Sequence, residues 1–250
     1  MSNEKNSAYE QALQQFTFEG DEKDIAQLHE LIGMIASVPT GQRLFQDVLN
    51  RKTPLIVSFC DGFADKGVLG KFLSREQAVR LVKMNVNNIQ DKIRMVNVLA
   101  HELQHHVDEP RNGYLFQNAH TMNEKILSMV LCEISAFWTG DSVESELRTL
   151  RGLPVKWMPK TPDDWKTVMS KALSGDNKWM KGYIDRRRAV GQKGDNSFEQ
   201  KVPSKEFCQG VTDYFNKMNI PMNFAEAMLC VSQSQKLSPP VRPCQPSRDR

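Results

Sequence analysis

The segment NVLAHELQHHV, from Asn97 to Val107, fixes more of the architecture than any other stretch of the chain. Apolar residues at Ile93, Val96, Leu99, Ala100, Leu103 and Val107 recur at helical spacing, so the segment must form a helix with one buried side. Inside it stands His101-Glu102-Leu103-Gln104-His105, an HExxH motif. On a helix, residues four apart lie about 40° apart around the axis and one turn apart along it, so the two imidazoles converge on one point. Nitrogen donors at that spacing suit Zn²⁺. Glu102 lies about 100° further round, placed to hold a water beside such an ion rather than to share its coordination. Asn88 and Asp91 offer cap residues before this helix, and Pro110 and Gly113 are expected to end it.

Around this helix the period changes several times. Leu28, Leu31, Ile32 and Ile35, then Leu44, Phe45, Val48 and Leu49, predict that the first fifty residues are helical, divided by Pro39 and Gly41. PLIVSFC from Pro54 and VRLVKMNV from Val79 read as strands, separated by the turn-forming DGFADKG and a helical or loop piece, which predicts a small, partly antiparallel sheet. A second helix is expected from Thr121 to Trp138, apolar nearly all round and closed by Gly140. Beyond Gly152, helical patterns appear near Trp165–Leu173 and Phe207–Met218. The last fifteen residues, KLSPPVRPCQPSRDR, have the composition of a disordered tail. The expected organisation is therefore α+β: a domain over residues 1–150 with a small sheet and two metal-ligand helices, a mainly helical region over 151–235, and a tail over 236–250.

Composition narrows the partners. A chain of 250 residues with 40% hydrophobic content can hide roughly 70–75% of its unfolded surface. Its longest unbroken apolar run, Ala227–Val231, is far below the roughly 20 residues of a membrane span. The start, MSNEKNSAYE, lacks a basic region and an apolar core, so a cytoplasmic location is expected, with export by a dedicated machine compatible with it. The five cysteines, Cys60, Cys132, Cys208, Cys230 and Cys244, show no CxxC spacing and read as free thiols, mostly core filler. A net charge of +3 does not call for nucleic acid. The run Arg186-Arg187-Arg188, near Lys178, Lys181 and Lys193, reads as a solvated face, and Trp138, Trp157, Trp165 and Trp179 as core anchors. No GxxxxGK[ST], GxGxxG or GxSxG occurs, leaving phosphate-loop and serine-hydrolase chemistry without support.

A catalytic zinc takes a third protein ligand and keeps one position open. Glu133 is the first candidate, because a carboxylate inside LSMVLCEISAFW would be costly to bury without a cation. Glu124, in the more polar first turn of the same helix, is the competitor. Asp108 shares a face with His101 but stands about two turns along, which suits it to accept a hydrogen bond near the site or to end the helix. His106 points about 100° away from His105 and reads as a partly buried or surface histidine. His120 reads as part of the cap of the second helix, and Tyr114, in the expected loop, is a candidate electrophilic donor. Between Asn97 and Leu150 three basic side chains face eight acidic ones, which favours basic or neutral substrate segments.

The stretches IASVPTGQRLFQDVLN, LIVSFCDGF, VKMNVN, VNVLAHELQHH and EISAFW together resemble the gluzincin-type metallopeptidase domain of uncharacterised bacterial proteins, over roughly Ile32–Trp138. EISAF is also similar to the ExxAF-like signature of the phage-repressor-inactivating peptidases. The resemblance implies a zincin-like fold and zinc held by His101, His105 and Glu133. It also implies Glu102 as general base and peptide-bond hydrolysis of a peptide or protein substrate. No third histidine follows at the metzincin spacing, and the region after Gly152 has no counterpart in the family. The competing reading is a protein-binding module or bacterial effector whose zinc site is structural or vestigial.

Overall fold

The computed structural model describes residues 9–64, 67–84, 88–155, 157–174, 182 and 203–236. The arginine run, Trp179, Cys244 and residues 237–250 of the expected tail lie outside them. The chain divides into two compact units: Met1–Arg111 with Cys132–Met158, and Asn112–Leu131 with Pro159–Arg250.

The first unit is mixed α+β. It begins with strand β1 (Phe16–Glu19), helix α1 (Glu22–Ala36) and helix α2 (Pro39–Arg51), followed by strands β2 (Leu55–Cys60), β3 (Gly70–Leu73) and β4 (Ala78–Val82). Helix α3 (Ile89–Asn118) carries HExxH and helix α4 (Met122–Leu150) follows it, the first unit holding α3 as far as Arg111 and α4 from Cys132 on. The sheet is four-stranded, in the order β1-β2-β4-β3. β1 and β4 run parallel to β2, while β3 is an antiparallel edge strand paired with β4. Leu55 and Val57 of β2, Val79 and Leu81 of β4, Leu28, Leu31, Ile32 and Ile35 of α1, and Ile93, Val96, Leu99 and Leu103 of α3 are fully buried in one apolar cluster.

Two strands depart from the sequence reading. FTFE, expected as part of a helical entry, forms β1, and GKFL, expected as loop or helix, forms β3. Each strand is four residues long, too short to display a period of its own, and is defined by pairing with β2 or β4. Both helix stops also fall later than expected. Pro110 lies inside α3. Its missing N–H would leave the carbonyl of His106 without a partner, and Arg51 Nε donates to that oxygen at 3.1 Å. Gly113 is likewise inside the helix, so Tyr114 sits on α3 rather than in a loop. Gly140, expected to close the second helix, is interior to α4. A Cβ there would stand 2.7 Å from the carbonyl oxygen of Asn97, so this glycine marks the close approach of α3 and α4 and does not end a helix.

The second unit contains helices α5 (Pro162–Ser174), α6 (Lys205–Met218) and α7 (Phe224–Lys236). Ser204 caps α6 by accepting from the amide of Phe207. Trp165 and Met169 of α5, Phe207, Val211, Tyr214 and Phe215 of α6, and Ala227 and Val231 of α7 are buried, and Lys166 pairs with Glu226 across 3.2 Å.

Candidate metal centre

Helix α3 turns one stripe toward the start of the Cys132–Leu150 part of α4, and polar side chains from both helices meet there. The Nε2 atoms of His101 and His105 approach within 3.0 Å. Glu133, on α4, places one carboxylate oxygen 3.8 Å from His101 Nε2 and the other 3.7 Å from His105 Nε2. His101, Glu102 and His105 present potential ligand atoms that all lie within 4.8 Å of one another. This group could hold a metal ion.

The donor spacing fits one. Metal–nitrogen and metal–oxygen bonds of about 2.0–2.2 Å in a tetrahedral arrangement put donors roughly 3.3–3.5 Å apart; the two Nε2 atoms stand 3.0 Å from each other and 3.8 and 3.7 Å from different oxygens of Glu133, distances of that order. Electrostatics point the same way. Burial pushes the His101 imidazole well below the usual range, helped by the neighbouring His105, and pushes His105 down to about 4 against the opposing influence of Asp108. Both rings are therefore neutral and able to donate lone pairs. Burial raises Glu133 to about 7 and Glu102 to about 8. The hydrogen bond from Phe72 opposes the shift in Glu102, and the charge of Glu133 adds to it. Two buried carboxyls that resist ionisation beside two neutral imidazoles form a site that a cation would stabilise.

The supporting contacts are specific. Phe72 N, on β3, donates to Glu102 Oε2 at 2.7 Å. Cys132 Sγ lies 3.2 Å from His105 Nδ1, the nitrogen turned away from the cluster. Phe137, one helical turn after Glu133, sets its ring edge-on to His101 with centroids 4.6 Å apart and is 42% exposed. None of these three neighbours was singled out in the sequence. Cys132 reads there as apolar filler, although its place beside Glu133 was a usable signal. Phe72 acts through its backbone, which sequence does not display.

The remaining candidates have other roles. Glu124 Oε2 accepts from the amides of His120 and Thr121, while Thr121 Oγ1 accepts from the Glu124 amide, a capping box at the start of α4. His120 belongs to that cap, as expected, with its side chain exposed. Asp108 accepts from Gln104, Ser135 and Arg111, the hydrogen-bonding role expected for it near the site. His106 is fully buried rather than partly exposed. It packs edge-on against Phe72, and neither ring nitrogen has a hydrogen-bond partner among the described residues. Burial, and then the charge of Arg51, hold it down to about 4, which keeps it neutral. None of the four described cysteines is in a disulfide.

In comparisons with known proteins, no family model matches this chain, and neither a curated protein nor a solved structure is significantly similar to it.

Proposed function

We propose that the protein is a zinc-dependent metallopeptidase of zincin-like architecture, with the ion held by His101, His105 and Glu133 and with Glu102 as general base. The observation that carries this reading is the convergence of two neutral imidazole nitrogens, 3.0 Å apart, with the buried carboxyl of Glu133 within 3.8 Å of them and a second buried carboxyl from the same motif beside them. Two nitrogens and one carboxylate oxygen form a ligand set that zinc favours in catalytic sites, which keep a fourth position for water or substrate. A motif-bearing helix beside a sheet whose edge strand is antiparallel supports the zincin-like reading.

A bound zinc ion supplies Lewis acidity, making a water nucleophilic near neutral pH and polarising the substrate carbonyl. The chain's own residues do the rest. Glu102, 7% exposed, takes the proton of the attacking water and returns it to the leaving amine. The Phe72 amide keeps one of its oxygens oriented while the proton moves. His105 is held at Nδ1 by Cys132, which leaves Nε2 free to ligate. Phe137 gives the exposed side of the site an apolar wall, suited to a peptide or protein substrate.

Helix α4 is long and apolar enough to cross a bilayer by composition, yet 67% of its most apolar 18-residue window is buried within the protein, which supports a core helix. The deciding experiment compares Glu102→Gln with the unmodified protein on a quenched fluorogenic peptide library, with zinc content measured in parallel. The reading expects zinc to be kept and hydrolysis lost, and turnover retained in Glu102→Gln would defeat it.

A further inference from the structure

We infer that edge strand β3 is the seat of the general base: Gly70 and the backbone amide of Phe72 are positioning residues that fix the Glu102 carboxylate. This rests on the peptidase reading above, which it extends to the strand that the HExxH helix packs against.

The register of β3 supplies the first half of the argument. Phe72 pairs with Val79 and Gly70 with Leu81, and the amide of Val82 donates to the carbonyl of Leu69. In an antiparallel pair, bonded and non-bonded positions alternate, so Lys71 and Leu73 bond to β4 while Gly70 and Phe72 turn their amides outward, away from the sheet. An outward amide on an edge strand ordinarily faces water. Here the amide of Phe72 donates at 2.7 Å to Glu102 Oε2, a charge-assisted bond when the carboxylate is ionised.

The second half is independent of that bond. Gly70 is buried and has no positive φ, so its backbone conformation does not require glycine. The space does. A Cβ at this position would stand 2.5 Å from Val98 Cγ1, 3.0 Å from Glu102 Cγ and 3.2 Å from Glu102 Oε1. Val98 and Glu102 are four apart on α3, so one stripe of that helix lies directly on the bare backbone of Gly70. The strand thus touches Glu102 twice, by an amide at one oxygen and by a glycine gap along the side-chain stem and the other oxygen. A base held this way stays oriented while it accepts and returns a proton, and orientation errors at such a group are costly in rate.

The two contacts can be separated by substitution. Gly70→Ala collides with both Val98 and Glu102, whereas Gly70→Ala with Val98→Ala removes the shortest contact and leaves the pressure on Glu102. The double variant is expected to fold and keep the zinc content of the unmodified full-length protein, because it alters none of His101, His105 and Glu133. Its kcat on a fluorogenic peptide is expected to fall about tenfold with KM unchanged. Full recovery of kcat in the double variant would overturn the inference, since Gly70 would then matter only for packing on Val98.

A readout that needs no turnover is amide hydrogen exchange at Phe72. Glu102→Ala should accelerate it at least about tenfold, with Lys71 and Leu73 unchanged because they bond to β4. Glu102→Gln, whose side-chain carbonyl still accepts, should preserve protection. Unchanged exchange in Glu102→Ala would also overturn the inference. If Glu102→Gln proves fully active, the peptidase reading falls, and exchange at Phe72 still decides whether the strand holds Glu102. An inactive Glu102→Gln with an active double variant would remove the seat and leave the peptidase reading standing.

Discussion

The same pair of helices carries two buried polar regions of opposite character. Along one seam of α3 and α4, each group has an assigned partner: Asn97 donates to Asp141 and Glu144, Glu144 pairs with Arg148, Thr139 donates to Gln104, and Gln104, Ser135 and Arg111 converge on Asp108. At the neighbouring cluster two imidazole nitrogens face each other, and the two carboxyls are pushed up by burial rather than stabilised as anions. The seam is polar chemistry brought to completion inside the fold, and it sets the register between the helices. The cluster gathers neutral nitrogen donors and carboxyls that burial keeps from ionising, a set that could hold a metal ion.

Breaking the cluster should have the largest effect on activity with little effect on the seam. His105→Ala is expected to lower zinc affinity at least about 10²-fold and abolish hydrolysis. Glu102→Gln should keep the metal and lower kcat by about 10²–10⁴-fold. Equilibrium dialysis with peptide assays separates the two, and equal metal loss in both variants would place Glu102 among the ligands.

Breaking the seam should do the reverse. Asp108→Ala removes an acceptor shared by three donors in a buried setting and should destabilise the protein by about 2–4 kcal/mol in denaturant unfolding, with zinc still bound under native conditions. Gly140→Ala forces a methyl group against the Asn97 carbonyl and should cost about 1–3 kcal/mol, with zinc again retained. Zinc loss in Gly140→Ala without loss of fold would mean that the seam and the cluster are not separable.

The contrast explains which parts of the molecule the sequence displays. HExxH on an amphipathic helix and a carboxylate at Glu133 inside an apolar run are local patterns, and the structure brings them together. The central strand β2 was legible for the same reason, as an apolar run bounded by turn residues. Pro110 and Gly140 carry strong local signals for ending a helix, yet both helices pass through them. Their partners come from elsewhere: Arg51, 55 residues before His106, takes up the carbonyl that Pro110 leaves, and Asn97 on the other helix fills the space that Gly140 leaves. Strands β1 and β3 exist through pairing, which four residues cannot announce. The Phe72 amide was hidden because it is backbone, which a sequence does not display, whereas Cys132, a residue type able to ligate zinc and adjacent to Glu133, was a signal that went unused.

The smallest expected effect sharpens the contrast through pH. With Glu133 held near 7 in the metal-free protein, its carboxyl is mostly protonated at pH 6 and mostly ionised at pH 8. Burial holds His105 at about 4 and His101 well below the usual imidazole range, so both remain neutral across that interval. Zinc binding at pH 6 should therefore release the Glu133 proton and up to a second from Glu102, which burial holds at about 8, and apparent affinity should rise as pH increases through 7. Calorimetry in buffers of different ionisation enthalpy measures that release, and its absence would mean that Glu133 does not ligate.

Metal content by mass spectrometry on the purified chain, beside His105→Ala, Glu133→Ala and Glu124→Ala, tests the central claim most directly. One zinc per chain, lost with His105 or Glu133 and kept without Glu124, is the predicted result. A chain that neither contains nor rebinds zinc, or a Glu133→Ala variant that binds it as tightly as the unmodified protein, would contradict the ligand set proposed here.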